Sequence, residues 1–210
     1  MITASGVLFD IDGTLVQSLA AVERAWATFG KRHGLEPQEV LHRIHGRRSI
    51  DSIRLILPDA DADAEDLVLR HLEASDTEGV VATGGALDLI ECLVDIPWGV
   101  VSSGTSDVAT ARLAAAGITN FRATVFGEDV AQGKPHPEPF LLGAQRLGLS
   151  PAECVAFEDA PAGIRSAKDA GMRVIAIGPA SGDYGADLSV EDFSLLSCET
   201  QGGKVTIGIR

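Results

Sequence analysis

Basic residues are scarce in this 210-residue chain: Lys and Arg total 17 against 30 Asp and Glu, a formal net charge of −13. A protein of that sign has no broad basic face for holding nucleic acid or anionic membrane non-specifically. Apolar runs are short, and none approaches the roughly 18 residues of a membrane span. The opening MITASGVLFDID lacks a basic leader and runs straight into a strand-like stretch, which predicts no signal peptide. Cysteine is rare as well. Cys92, Cys154 and Cys198 are too few and too scattered for a disulfide framework or a zinc site, and each has apolar neighbours, so buried inert thiols are expected. Repeats and low-complexity segments are lacking. The expectation is an acidic, cytoplasmic protein of a reducing compartment, monomeric or weakly dimeric. What is plentiful is apolar residue, 45% against 22% charged, enough to bury a core and to exclude disorder for the whole chain.

Apolar β-rich runs alternate with helical patterns. Strands are expected at Gly6–Ile11, Trp98–Ser102, Ala123–Phe126, Cys154–Phe157 and Arg173–Ile177. Most are continuously apolar, as suits parallel strands covered on both faces. Helices are expected at Thr105–Ala116, Pro137–Leu147 and Pro161–Ala170, the first and third followed by Gly117 and Gly171. This alternation predicts a doubly wound, Rossmann-like α/β sheet. Residues 17–82 break it. Leu19, Val22, Trp26 and Phe29 recur at helical spacing, and helical patterns follow at Pro37–Ile44, Ser49–Leu57 and Asp63–Ala74. The reading is a core of residues 1–16 and 83–210 with an all-helical cap domain of residues 17–82 inserted after the first strand. In the tail, Asp192–Cys198 suits a helix and Lys204–Ile209 an edge strand.

Four elements carry chemistry. Asp10 and Asp12 end the first strand, two residues apart on one side, and their repulsion calls for a cation or a proton. The strand before Ser102-Ser103-Gly104-Thr105 runs into a helix N-terminus, where free N–H groups make a phosphate seat; a simple hydroxyl N-cap is the alternative. Lys134 lies in the proline-rich Gly133-Lys134-Pro135-His136-Pro137, a stiff arm bearing one ammonium. Glu158-Asp159 follow another buried strand, and such hard oxygen ligands suit Mg²⁺; acidic capping of the next helix is the alternative. All four fall at the carboxyl ends of expected strands, where open α/β sheets bind ligands. Together they describe a divalent-metal phosphoryl-transfer site with a built-in carboxylate nucleophile.

Taken in order, DIDGT, the Ser102 strand end, GKPHPEP and FEDAPAGI resemble the four motifs of the haloacid dehalogenase superfamily of phosphohydrolases, over essentially the whole chain. The inserted helices resemble that superfamily's small helical cap. HGRRSIDSI, GKPHPEPF and FEDAPAGI are most similar to glycerol-3-phosphatases, 2-deoxyglucose-6-phosphatases and bacterial sugar or polyol phosphatases. The resemblance implies Asp10 as nucleophile and Asp12 as acid and then base. It implies Thr14, Ser102, Ser103 and Lys134 on the phosphoryl group, with N–H groups of Ile11, Asp12 and Ser103. A Mg²⁺ ion would be held by Asp10, the Asp12 carbonyl and Asp159, with Glu158 direct or through water. Substrate contacts are expected in the cap, from Glu23, His45, Gly46, Arg47 and Arg48, although the two arginines equally suit a solvated surface. The implied partner is a small phosphorylated metabolite.

Departures from the family pattern narrow the reading. Dehalogenases of the superfamily lack the second acid and the metal, so Asp12 and Glu158-Asp159 favour phosphate chemistry. Val22 stands where the related phosphoglucomutases carry a cap histidine, and Ser49 near their phosphate-anchoring cap base, which favours hydrolase over mutase. Gln17 and Gly84 replace a common Asp and Pro without touching the chemistry.

Overall fold

A computed structural model gives the fold; it describes residues 1–41, 44, 47–178 and 184–210, the side chain of Gln38 excepted. In chain order the elements are β1 (Ile2–Ala4), β2 (Gly6–Phe9), β3 (Val16–Gln17), α1 (Leu19–Arg32), α2 (Pro37–Leu41), α3 (Ser49–Ile56), α4 (Ala62–Ser75), β4 (Val81–Ala82), α5 (Ala86–Cys92), β5 (Trp98–Val101), α6 (Ser106–Ala115), β6 (Ala123–Val125), α7 (Glu138–Leu147), β7 (Cys154–Glu158), α8 (Pro161–Asp169), β8 (Arg173–Ile177), β9 (Leu188–Val190), β10 (Leu196–Gln201) and β11 (Lys204–Ile209).

Six strands form a parallel sheet in the order β6-β5-β2-β7-β8-β9. All of β2, β5 and β7 is buried. Successive side chains point to opposite faces, so one strand feeds two cores. Leu8, Val101, Ala156 and Val174 pack under α7 and α8 with Phe140, Ala144 and Ile164. Val7, Phe9, Val155 and Ile175 face the other way, with Leu89 of α5 and Leu113 of α6. There Phe9 stacks on Phe157 with ring centroids 4.9 Å apart, and Trp98 meets Phe9 edge-on at 5.8 Å. Two apolar faces are why these strands read as unbroken hydrophobic runs.

The helical insert leaves and re-enters the sheet domain at one neck. Val16–Gln17 pairs antiparallel with Val81–Ala82, so the two crossings lie side by side. A separate hydrophobic cluster joins Ala25, Trp26, Phe29, Val40, Ile44, Ile53 and Leu69, all within the insert. Among the described residues no helix is long and apolar enough to cross a membrane.

The tail differs from expectation in two ways. Only Phe193–Leu195 turns, as a short 3-10 segment, and residues 196–201 are strand, not helix. Lys204–Ile209 is not an edge: it lies between β1 and β10 in a small antiparallel sheet. A Gly202-Gly203 turn makes the β10–β11 hairpin, and three-residue β1 is too short to show a pattern of its own. The thiol expectation also needs correcting. Cys92 and Cys198 form a disulfide across 106 residues, because α5 packs beside β10 and brings their Cα atoms to 6.4 Å. Cys154 alone is a buried thiol, with burial pushing its pKa up to about 11. The cysteines therefore give no support to a reducing compartment.

Candidate active site

The ends of β2, β5 and β7 converge. Lys134 Nζ donates to Asp10 Oδ1 and Glu158 Oε1, both at 2.6 Å, and to the Val101 carbonyl at 2.9 Å. It is 3% exposed, with the Phe140 ring 5.2 Å away. The second Glu158 oxygen accepts from the N–H groups of Asp159 and Ala160, each at 3.0 Å. A Cβ at Gly163 would collide with that carboxylate, so only glycine permits α8 to approach so closely. Gly13, at φ +87°, plays the same part beneath the Asp159 carboxylate. Thr14, fully buried, donates to Asp159 at 3.2 Å.

Carboxylate oxygens of Asp10, Glu158 and Asp159 lie within 4.8 Å of one another. One ammonium cannot balance three acids, two of them buried and Asp159 half-buried. Burial pushes the Asp10 carboxyl well above the usual carboxylate range, with Lys134 opposing and Glu158 and Asp159 adding to the rise. Burial, and then Glu158, push Asp159 up to about 7. Burial works against the Lys134 ammonium, but Asp10 and Glu158 outweigh it and hold its pKa above the ordinary lysine value. Hard oxygen donors with surplus negative charge fit a divalent cation such as Mg²⁺.

Above the cluster lies a cavity of about 290 Å³, floored by Asp10, Asp12, Ser103, Gly104, Glu158 and Asp159. Its roof is the helical insert: Leu19, Val22 and Trp26 of α1, Ile44, Arg47, Ser49 and Glu73. Core residue Arg112 joins the wall from α6. Asp12 does not turn its carboxylate toward the acid cluster. One oxygen accepts from Ser18 at 2.5 Å and the other from Arg112 at 2.9 Å. Its side chain is thus no member of the acid cluster.

The structure reassigns several expected contacts. Thr14 and Ser102 do not line the cavity: Thr14 supports Asp159, and Ser102 Oγ closes its own turn by accepting from the Gly104 N–H at 3.0 Å. Ser103 does line it, while Lys134 acts from beneath. Glu23 is exposed and does not line the cavity, where α1 contributes Leu19, Val22 and Trp26 instead. Arg47 lines the cavity, but Arg48 does not. The Arg48 guanidinium grips Asp51 at 2.7 Å and the core carbonyl of Val130 at 3.0 Å, a strut between insert and core. His45 and Gly46 lie outside the described residues. Trp26 is both packed, at 3% exposed, and part of the cavity wall.

Two residues escaped the sequence reading. Arg112 is 2% exposed and bonds Asp12 and, at 3.3 Å, Glu73 of α4. Both sit on buried helical stripes, Val108-Ala109-Arg112-Leu113 and Asp66-Leu69-Glu73. For Arg112, a charge on an otherwise apolar stripe is the signal that could have found it; the α4 stripe, with Asp66 beside Glu73, carries no such contrast.

A family model described as haloacid dehalogenase-like hydrolase matches residues 4–171. The chain is 51% identical over 177 residues to hexitol phosphatase A of Escherichia coli, covering 82% of each. It is 35% identical over 185 residues to glycerol-1-phosphate phosphohydrolase 2 of Saccharomyces cerevisiae, covering 82% of this chain and 74% of that one. In fold it is similar to β-phosphoglucomutase of Clostridium difficile, with TM-score 0.83, 22% identity, and 92% and 93% of the two chains covered. At that identity the likeness concerns the fold alone. The chain belongs to the haloacid dehalogenase-like hydrolases. Within that family it is a phosphatase.

Proposed function

We propose that this phosphatase hydrolyses a small sugar, polyol or glycerol phosphate through an aspartyl phosphate on Asp10, with Mg²⁺ held by Asp10, Asp159 and the Asp12 carbonyl. The observation that carries the reading is the cavity itself. Its floor offers a carboxylate nucleophile held 2.6 Å from a buried lysine, beside surplus acids that call for a cation. Its roof leaves room for a few-carbon hydroxylated chain rather than a macromolecule. The 51% identity to a hexitol phosphatase supports the substrate class.

In the first step an Asp10 oxygen attacks phosphorus and the bond to the substrate oxygen breaks. The Asp12 carboxyl gives its proton to that leaving oxygen. In the second step Asp12, now a carboxylate, takes a proton from water while the water oxygen attacks phosphorus and the Asp10–phosphorus bond breaks. Phosphate leaves and Asp10 is restored. When bound, Mg²⁺ supplies positive charge against the phosphoryl oxygens and the acid cluster. Lys134 offsets charge on the nucleophile, and Ser103 offers donors at the phosphate seat. Both Glu158 oxygens are already occupied, by Lys134 and by two N–H groups, which favours metal contact through water.

Residues 1–16 and 83–210 form the core in this reading, and 17–82 the cap, hinged where β3 meets β4. Closure excludes water while the leaving group departs. A mutase would have to keep water off the phosphoenzyme until a sugar hydroxyl arrives; Val22 on the roof can neither give nor take a proton. The test is phosphate release from a panel of hexitol, glycerol and hexose phosphates, with Mg²⁺ and with EDTA. Turnover of at least one small phosphate that disappears with EDTA is expected, and full activity without metal would overturn the metal role. With β-glucose 1-phosphate and a trace of the 1,6-bisphosphate, glucose 6-phosphate outpacing free phosphate would overturn hydrolysis.

A further inference from the structure

Arg112 is a guanidinium where the helix should carry an apolar residue. It lies on the core-facing stripe of α6 with Val108, Ala109 and Leu113, and is 2% exposed. Burying such a group is costly unless its donors are used. One terminal nitrogen bonds Asp12 at 2.9 Å, the other Glu73 at 3.3 Å, and the Nε–H has no partner. Asp12 belongs to the core and Glu73 to the insert, so one side chain spans both bodies at the cavity wall. The planar fork suits two carboxylates at a fixed angle, which a lysine could not reproduce. Ser18, at the neck, holds the other Asp12 oxygen. The Asp12 carboxylate is therefore fixed by two groups, one beside the hinge and one tied to the roof.

We propose that Arg112 is the positioning residue for Asp12 and that Glu73 ties it to the cap, a role that rests on Asp12 being the proton carrier proposed above. Arg112 acts only through the Asp12 carboxyl that it holds at 2.9 Å. It sets where the Asp12 carboxyl stands, and the pull of Glu73 on the same guanidinium makes that placement depend on the position of the roof. An open cap removes Glu73 and leaves Arg112 held by Asp12 alone. A closed cap shares the guanidinium and leaves Asp12 better able to turn toward a leaving oxygen.

The experiment uses leaving groups of different basicity. An alkoxide needs a proton as it departs, whereas p-nitrophenolate departs without one. Because kcat/KM reports the steps through phosphoenzyme formation, it isolates the acid role of Asp12. For Arg112→Gln, kcat/KM on a hexitol phosphate is expected to fall about a hundredfold, the lower range of general acid contributions. On p-nitrophenyl phosphate it should fall by less than about fivefold in the same protein. Glu73→Gln should show the same selectivity at smaller size. Arg112→Gln should add little in an Asp12→Ala background, since both remove one function. If Arg112→Gln proves unfolded by circular dichroism, the double variant Arg112→Gln/Glu73→Gln, which leaves no unpaired Glu73, carries the same expectation. Equal losses on the two substrates, or a hexitol phosphate loss below twofold, would overturn the positioning role. A wild type that releases phosphate from neither substrate overturns instead the reading of the site beneath it.

Discussion

On the floor of the cavity each charged group follows or ends a strand: Asp10 comes directly after β2, and Glu158 closes β7 with Asp159 next to it. On the roof the polar groups sit on helices or just before them: Arg47 ahead of α3, Ser49 at its start, Glu73 near the end of α4. Under the floor two groups are fully bonded. Lys134 makes three hydrogen bonds and Glu158 uses both oxygens. The roof is partly open, with Arg47 exposed beside apolar Val22 and Ile44. A floor braced in this way can hold reacting atoms within tenths of an ångström and so suits invariant chemistry. A looser roof can be rebuilt for another substrate without disturbing that chemistry.

The largest expected effect lies on the floor. Asp10→Asn keeps the shape but removes the anion that attacks phosphorus. Turnover should fall at least a thousandfold with an unchanged circular dichroism spectrum. Retention of more than a tenth of wild-type activity would remove Asp10 as nucleophile. Next in size is the support of Glu158. Gly163→Ala forces a methyl group against that carboxylate, so either α8 or Glu158 must shift. The expected cost is about 1–3 kcal/mol in urea unfolding, with weaker Mg²⁺ activation; unchanged stability would mean α8 moves freely.

The two neighbouring arginines sharpen the contrast. Arg47→Ala should raise KM for the preferred substrate roughly tenfold with kcat nearly unchanged, as for about 1.4 kcal/mol of uniform binding. Arg48→Ala removes the strut to Val130 and should lower kcat more than it raises KM, because closure rather than contact is lost. Identical kinetic patterns for the two variants would erase the distinction between wall and strut.

The same contrast governed what could be read from sequence. Floor residues are contiguous in short motifs at strand ends, where one dimension of sequence already implies proximity. DIDGT placed Asp10 at the end of a buried strand, and FEDAPAGI did so for Glu158. Thr14 and Ser102 were read from the same motifs, yet their hydroxyls serve Asp159 and the Gly104 N–H, because motif position does not reveal which way a hydroxyl turns. On the roof the relevant spacing is three or four residues, mixed with ordinary packing. Glu23 shares the first cap helix with Val22 and Trp26, yet only the latter two line the cavity. Arg112 and Glu73 meet across 39 residues, and Cys92 and Cys198 across 106, separations that carry no local signal.

The smallest expected effect concerns the charge that ties roof to floor. Glu73 is 8% exposed, and burial pushes its pKa up to about 7, with Arg112 opposing and Asp12 adding to the rise. In the unfolded chain the same carboxyl returns to the ordinary glutamate range near 4.3. Between those values the native state binds the proton that the unfolded state has released, so this group's contribution falls as pH rises, and the full penalty is in place above about 7. Arg112 is not left bare by neutralising Glu73, since Asp12 still pairs with it. Glu73→Gln keeps the shape and removes the titration. Its melting temperature should match the wild type near pH 5 and exceed it by a few degrees near pH 8. The variant would then be more stable and less active, the signature of a charge retained for function at a cost in stability. A difference that stays constant from pH 5 to pH 8 would show that Glu73 does not titrate in this window, and that the roof holds it as a permanently ionised partner of Arg112.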